Sequence, residues 1–183
     1  MPTLPPITSL PTSSPSQRAQ ILDLLFEPST QLHTLSLPLL HSTPFPSYDA
    51  LIAAIGEQLS ALADSSSTSD TQSLEGILCS HPRLGAKGVE SAQSRGEQAG
   101  LGLGLGLQGE REGEELRELN QAYEARFPGL RYVVFVDGRT RGVIMSDMRR
   151  RIEEGDVRGE PRAAIRAMCE IAADRAHKLL RQD

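Results

Sequence analysis

Three groups of residues in this chain have types and spacings that could do chemistry. The first is His81, in the segment HPRLG at 81–85. A free imidazole titrates near pH 6.5, so it can give and take protons around neutrality. The residue before a proline is pushed out of helical geometry, which predicts that His81 stands at a helix end. There it could face a pocket, or simply hydrogen-bond the end of its helix. The second group is Ser94, Glu97 and Gln98 in SRGEQ. Ser-x-x-Glu is a capping-box pattern in its own right. Spacings of three and four also put all three side chains on one helical face, where an acid and an amide could hold a polar heterocycle. The third is Arg175. At 100° per residue it falls inside the apolar stripe Ile165, Met168, Ala172, Ala176 and Leu179 of the last helix. An inward arginine needs a partner, because burying an unpaired ion costs several kcal/mol. Glu97, a ligand carboxylate, or escape of the guanidinium to the surface would each answer that need.

The Gly/Leu run at 100–107 looks more like a nucleotide site than any other stretch, but the spacing fails. G-x-G-x-x-G starting at Gly100 needs glycine at 105, where Leu105 stands. No strand pattern precedes the run, and no Gly-Lys-Ser/Thr follows it. It reads as a flexible connection between helices. Metal binding fits poorly, since His33, His41 and His177 are scattered without ligand spacing. The two cysteines, Cys79 and Cys169, form no CxxC pair, which fits a reducing compartment.

The elements that must position these groups are nearly all helical. Ser14-Pro15 is a cap and first-turn signal, followed by Ile21, Leu24, Leu25 and Phe26. Pro28, Pro38, Pro44 and Pro46 predict short turns after it. Ser47 opens a helix striped by Leu51, Ile52, Ile55, Leu59 and Leu62. Residues 63–73 read as a polar, flexible connection to a short helix over 73–80, and residues 91–99 start another helix. Leu116, Leu119, Tyr123 and Phe127 mark a further helix. RYVVFV at 131–136 is one candidate strand, and DGRTRG at 137–142 is a turn. Ile144, Met145, Met148 and Ile152 predict a helix ending near Gly155, and the last helix runs from about Glu160 to Leu180. The expectation is an all-α, compact multi-helix bundle. It has a loose Pro/Ser/Thr tail at 1–13, one domain over 14–183, and flexible loops at 63–73 and 100–109.

Bulk properties exclude several classes. A chain of 183 residues suits one domain. A net charge of −5 with interspersed signs argues against a nucleic-acid partner. The single basic run, Arg149 to Arg151, reads as a solvated helix face. YVVFV is too short to span a bilayer. The N-terminal MPTLPPITSLPTSSPS lacks the basic and apolar parts of a secretory signal, and LLRQD is not a peroxisomal address.

Taken in order, HPRLG, SRGEQ, LNQAY at 119–123, FPGLRYVVFV at 127–136 and IAADR at 171–175 form a pattern. It resembles the OHCU decarboxylases, which act on 2-oxo-4-hydroxy-4-carboxy-5-ureidoimidazoline in uric acid breakdown. The resemblance spans about residues 16–180. It implies His81 as the catalytic residue, with Ser94, Glu97, Gln98 and Arg175 binding substrate. It also implies a pocket lined by the backbone of Val133, Val134, Phe135 and Val136. A compact all-α fold, a homodimer, a small-molecule substrate and no cofactor go with it. The implied reaction yields (S)-allantoin and carbon dioxide; a non-catalytic scaffold that kept the fold is the alternative. The cytoplasm is the expected compartment, with the peroxisome, known for relatives, as the other. Arg83 stands where family members often carry an acidic residue, and the stretch between Pro128 and its apolar run is longer than the usual Phe-Pro-Phe-Val.

Overall fold

The computed structural model describes residues 3–85, 94, 96 and 107–181, the side chains of 107–110 excepted. Seven long helices carry the described chain: α1 (Pro15–Leu25), α2 (Thr30–Ser42), α3 (Tyr48–Asp64), α4 (Thr68–Leu78), α5 (Leu107–Arg126), α6 (Arg141–Glu154) and α7 (Glu160–Leu180). A 3-10 helix (Ile7–Thr12) precedes them. No strand occurs among the described residues, and the fold is all-α. The Gly/Leu run up to Gly106, and Glu97 and Gln98 with it, lie outside the described residues.

Contacts group the chain into two compact units, one from residues 1–80 and 165–183, the other from residues 81–164. In the first, α2 packs on α1, α3, α4 and the 3-10 helix. Leu22, Leu25, Leu51, Ile55, Leu59 and Ile77 form much of its interior. In the second, α5 packs on α6, with Leu116, Tyr123, Phe127, Ile144 and Met148 buried.

Helix ends follow local chemistry. Ser14 caps α1 in a full capping box with Gln17, with Pro15 in the first turn. Ser47 and Thr140 cap α3 and α6 by accepting from the amides of Ala50 and Val143. Each such cap contributes about 1 kcal/mol. Asp137 and Gly138 both take positive φ, 41° and 69°, and the Arg139 amide closes the turn on the Val136 carbonyl at 2.8 Å. Such a turn tolerates Asp and favours Gly.

Four expectations change. Residues 30–42, expected to be broken into short turns, form α2 with Pro38 inside it; burial of Leu32, Ser36 and Leu40 offsets the backbone bond the proline removes. The connection after α3 is short, because α4 begins at Thr68. The first thirteen residues are not loose where described. Leu4 and Leu10 are buried, Tyr48 donates to the Pro5 carbonyl at 2.7 Å, and Arg18 donates to the Pro11 carbonyl at 3.2 Å. Finally, residues 131–136 are extended but form no strand. Their backbone is held by a side chain, as described next.

Candidate active site

His81 follows α4, two residues beyond its Cys79 cap, and is buried. The turn it begins is fastened to α5 at three positions spaced by four residues. Leu116 packs so closely under Gly85 that a Cβ there would meet its Cδ2 at 2.6 Å. Asn120 Nδ2 donates to the Leu84 carbonyl at 3.1 Å and to the Leu116 carbonyl at 2.8 Å. Glu124 accepts two bonds from Arg83, Nε to Oε1 at 2.5 Å and Nη2 to Oε2 at 2.8 Å. Residues i, i+4 and i+8 form one ridge of a helix, so the HPRLG turn lies along a ridge of α5. Gly85 adopts φ +75°, which an L side chain resists. The Arg83 hydrogen bond, more than any other influence, holds the Glu124 carboxyl below its usual range.

The extended segment is fastened next to the same helix. Tyr123, on α5, donates to Glu160 Oε1 at 2.5 Å. Arg151, on α6, donates to the same oxygen from Nε at 2.7 Å, to the Tyr123 hydroxyl at 3.4 Å, and from Nη1 to the Val133 carbonyl at 3.2 Å. Its guanidinium lies 4.8 Å from the Tyr132 ring centroid and 5.7 Å from that of Tyr123, within cation–π range. Tyr132 donates to Asp147 Oδ2 at 2.7 Å. Burial first, then hydrogen bonding to a carboxylate, pushes the hydroxyls of Tyr123 and Tyr132 far above the ordinary tyrosine range, so both remain donors. A buried ion of this kind is tolerated because each of its charged groups is paired and hydrogen-bonded.

The Val133 carbonyl thus has a guanidinium as its partner, where a strand would need a neighbouring strand. Arg131 joins the two segments: its Nη1 donates to the His81 carbonyl at 3.1 Å. Within the second unit the structure therefore brings the His81 turn together with the Leu130–Val136 segment. Val133 is buried, and Val134, Phe135 and Val136 are half-buried. Ser94 also belongs to this unit; it is helical and buried.

Arg175 belongs to the first unit. The periodicity placed it inward, and it is buried. Its Nη2 donates to Glu27 Oε1 at 2.8 Å, and its Nη1 to the carbonyls of Phe26 at 2.8 Å and Leu25 at 3.5 Å. Glu27 is equally buried. Sequence reasoning offered Glu97 or a ligand as the countercharge and missed Glu27, which lies 148 residues away. It also misread Arg151 as part of a solvated run. Arg151 stands three residues after Met148 and seven after Ile144, on the apolar stripe of α6, so the argument that singled out Arg175 applies to it equally. Asn120 and Tyr123 lie in LNQAY, but their roles depend on residues distant in sequence.

Among the described residues, no group of three His, Cys, Asp or Glu stands close enough to hold a metal ion, and no helix is long and apolar enough to cross a membrane.

What the fold and site define is an all-helical protein in which a buried histidine, on a turn fastened to one helix, adjoins an extended apolar segment. The family description "OHCU decarboxylase" matches residues 11–177, and the chain belongs to that family. No match was found among curated proteins. Among solved structures, the crystal structure of (S)-allantoin synthase is similar to this chain, with a TM-score of 0.60 at 19% identity. The likeness covers 95% of this chain and 54% of that one, so the chain spans about half that protein's length. At this identity the likeness speaks to the fold.

Proposed function

We propose that this chain decarboxylates 2-oxo-4-hydroxy-4-carboxy-5-ureidoimidazoline to (S)-allantoin and carbon dioxide. The observation that carries the reading is the family match over residues 11–177. The buried His81, fastened beside the apolar segment, supports it.

In the proposed reaction the bond to the carboxyl carbon breaks, and its electron pair moves into the neighbouring C=N. The ring nitrogen takes a proton. The resulting enol then gives up its hydroxyl proton and takes one at the ureido-bearing carbon. The substrate ring acts as its own electron sink, so no cofactor enters this scheme. His81 is the proposed general acid/base, a role worth roughly 10²–10⁴ in rate. Glu97 and Gln98 are proposed to hold the ureido and ring N–H groups, with Ser94 beside them. The backbone of Val133 to Val136 lines one side. Arg175, which the family resemblance implies as a substrate-binding residue, is proposed to offer its fork of donors to an anionic oxygen; within the first unit Glu27 orients that fork. Proton delivery from one side makes the product a single enantiomer. The resemblance to the family also implies, as part of this proposal, that two copies of the chain assemble.

The test generates the substrate freshly, by urate oxidation and hydroxyisourate hydrolysis, and follows the optical activity of allantoin. The expected result is rapid appearance of (S)-allantoin with the wild-type chain and loss of stereospecific product in His81→Ala. Decay no faster than in buffer would overturn the reading and favour a scaffold that kept the fold.

A further inference from the structure

We propose that Arg131 is a positioning residue for His81, tying its backbone to the pocket segment so that the imidazole meets the substrate at a fixed place. The proposal rests on the reading of His81 as the proton-transfer group.

The peptide after His81 is a tertiary amide, because Pro82 follows, and Pro82 offers no N–H to anchor the turn. The direction of the His81 carbonyl sets ψ at His81 and hence where its side chain is aimed. Arg131 Nη1 holds that carbonyl oxygen at 3.1 Å. The arm that does so has a rigid base. The next residue, Tyr132, is buried, with its hydroxyl on Asp147 and its ring beneath Arg151. The residue after that has its carbonyl on Arg151. Arg131 is itself half-buried, so replacing it leaves the interior packing of Tyr123, Arg151 and Glu160 in place. On the far side of His81, Arg83 and Leu84 are fixed by Glu124 and Asn120. Those bonds hold the turn to α5, whereas Arg131 alone among these named contacts reaches the histidine's own peptide from the segment that lines the pocket.

A misplacement of about 1 Å can cost on the order of a hundredfold in rate. Arg131→Met is therefore expected to lower kcat by roughly ten- to a hundredfold, while KM stays within about twofold, because ground-state binding is untouched. Arg131→Lys, which keeps a cationic donor on a shorter reach, is expected to recover part of the loss. In substrate-free protein, 15N relaxation of the His81 backbone amide supplies the second readout, since Arg131 bonds that residue's own carbonyl. Order parameters near 0.85 in the wild type are expected to fall toward 0.6 in Arg131→Met. An Arg131→Met variant with wild-type kcat, or with an equally ordered His81, would overturn the proposal even if its melting temperature changed. A wild-type chain with no decarboxylase activity would sink the functional reading instead, and the relaxation comparison would still decide whether the tether exists.

Discussion

Replacing Glu27 by Met tests how the interior tolerates Arg175. Both side chains are 3% exposed and their charged atoms lie 2.8 Å apart. At an effective dielectric near 20, that separation corresponds to an attraction of about 6 kcal/mol, most of it offset by the cost of taking both ions out of water. Removing one partner of a buried pair forfeits the attraction and keeps the remaining desolvation cost, a loss of about 3–5 kcal/mol. For a chain of this length each kcal/mol lowers the melting temperature by about 2–4 °C, so Glu27→Met is expected to melt roughly 6–20 °C below wild type. Arg175→Met should lose about as much, since it strands the carboxylate. The double variant is expected to lose less than either single one, about 2 kcal/mol. Its remaining deficit comes from the Leu25 and Phe26 carbonyls, which lose the Arg175 donor. Urea denaturation of the four proteins gives the coupling directly. A Glu27→Met variant within about 1 kcal/mol of wild type, or a double variant worse than both singles, would refute the reasoning. The same four proteins also test substrate binding. If Arg175 grips the substrate, the double variant folds but yields no stereospecific allantoin; full activity in it would remove Arg175 from the proposed site.

Gly85→Ala should strain the HPRLG turn twice, through φ +75° and through the 2.6 Å approach of Leu116 Cδ2. A loss of about 1–3 kcal/mol in urea titrations is expected, and wild-type stability would contradict it. Tyr48 is pushed up to about 12 by burial, and its hydroxyl donates to the Pro5 carbonyl. A raised folded-state value favours the protonated form, so its contribution is fully present below about pH 10 and fades as pH rises through 12. Tyr48→Phe should therefore be less stable than wild type at neutral pH, by about 1 kcal/mol. The gap should close between pH 10 and 12 in denaturation at constant salt, and a constant gap would count against the assignment.

The sequence by itself determined where α1, α3 and α7 begin and where α6 ends, because those signals are short-range. Ser14-Pro15, Ser47 and the Glu160-Pro161 start are caps and first turns written within four residues of the helix they open. The inward face of α7, with Arg175 on it, was legible from a single period; that its guanidinium stays buried was not. The ordered motifs from HPRLG to IAADR placed the family for the same reason: each is local. Only the tertiary structure decided what those residues touch. A breaker such as Pro38 can be outvoted by burial, and an apolar run such as YVVFV becomes a strand only if another strand accepts its backbone. Here Arg151 holds the Val133 carbonyl and Glu27 answers Arg175. Asn120 holds the turn that begins at His81. Each of these pairings joins residues between 18 and 148 positions apart. Propensity and periodicity act over one or two turns of chain, whereas which charge meets which across such distances is set by packing alone.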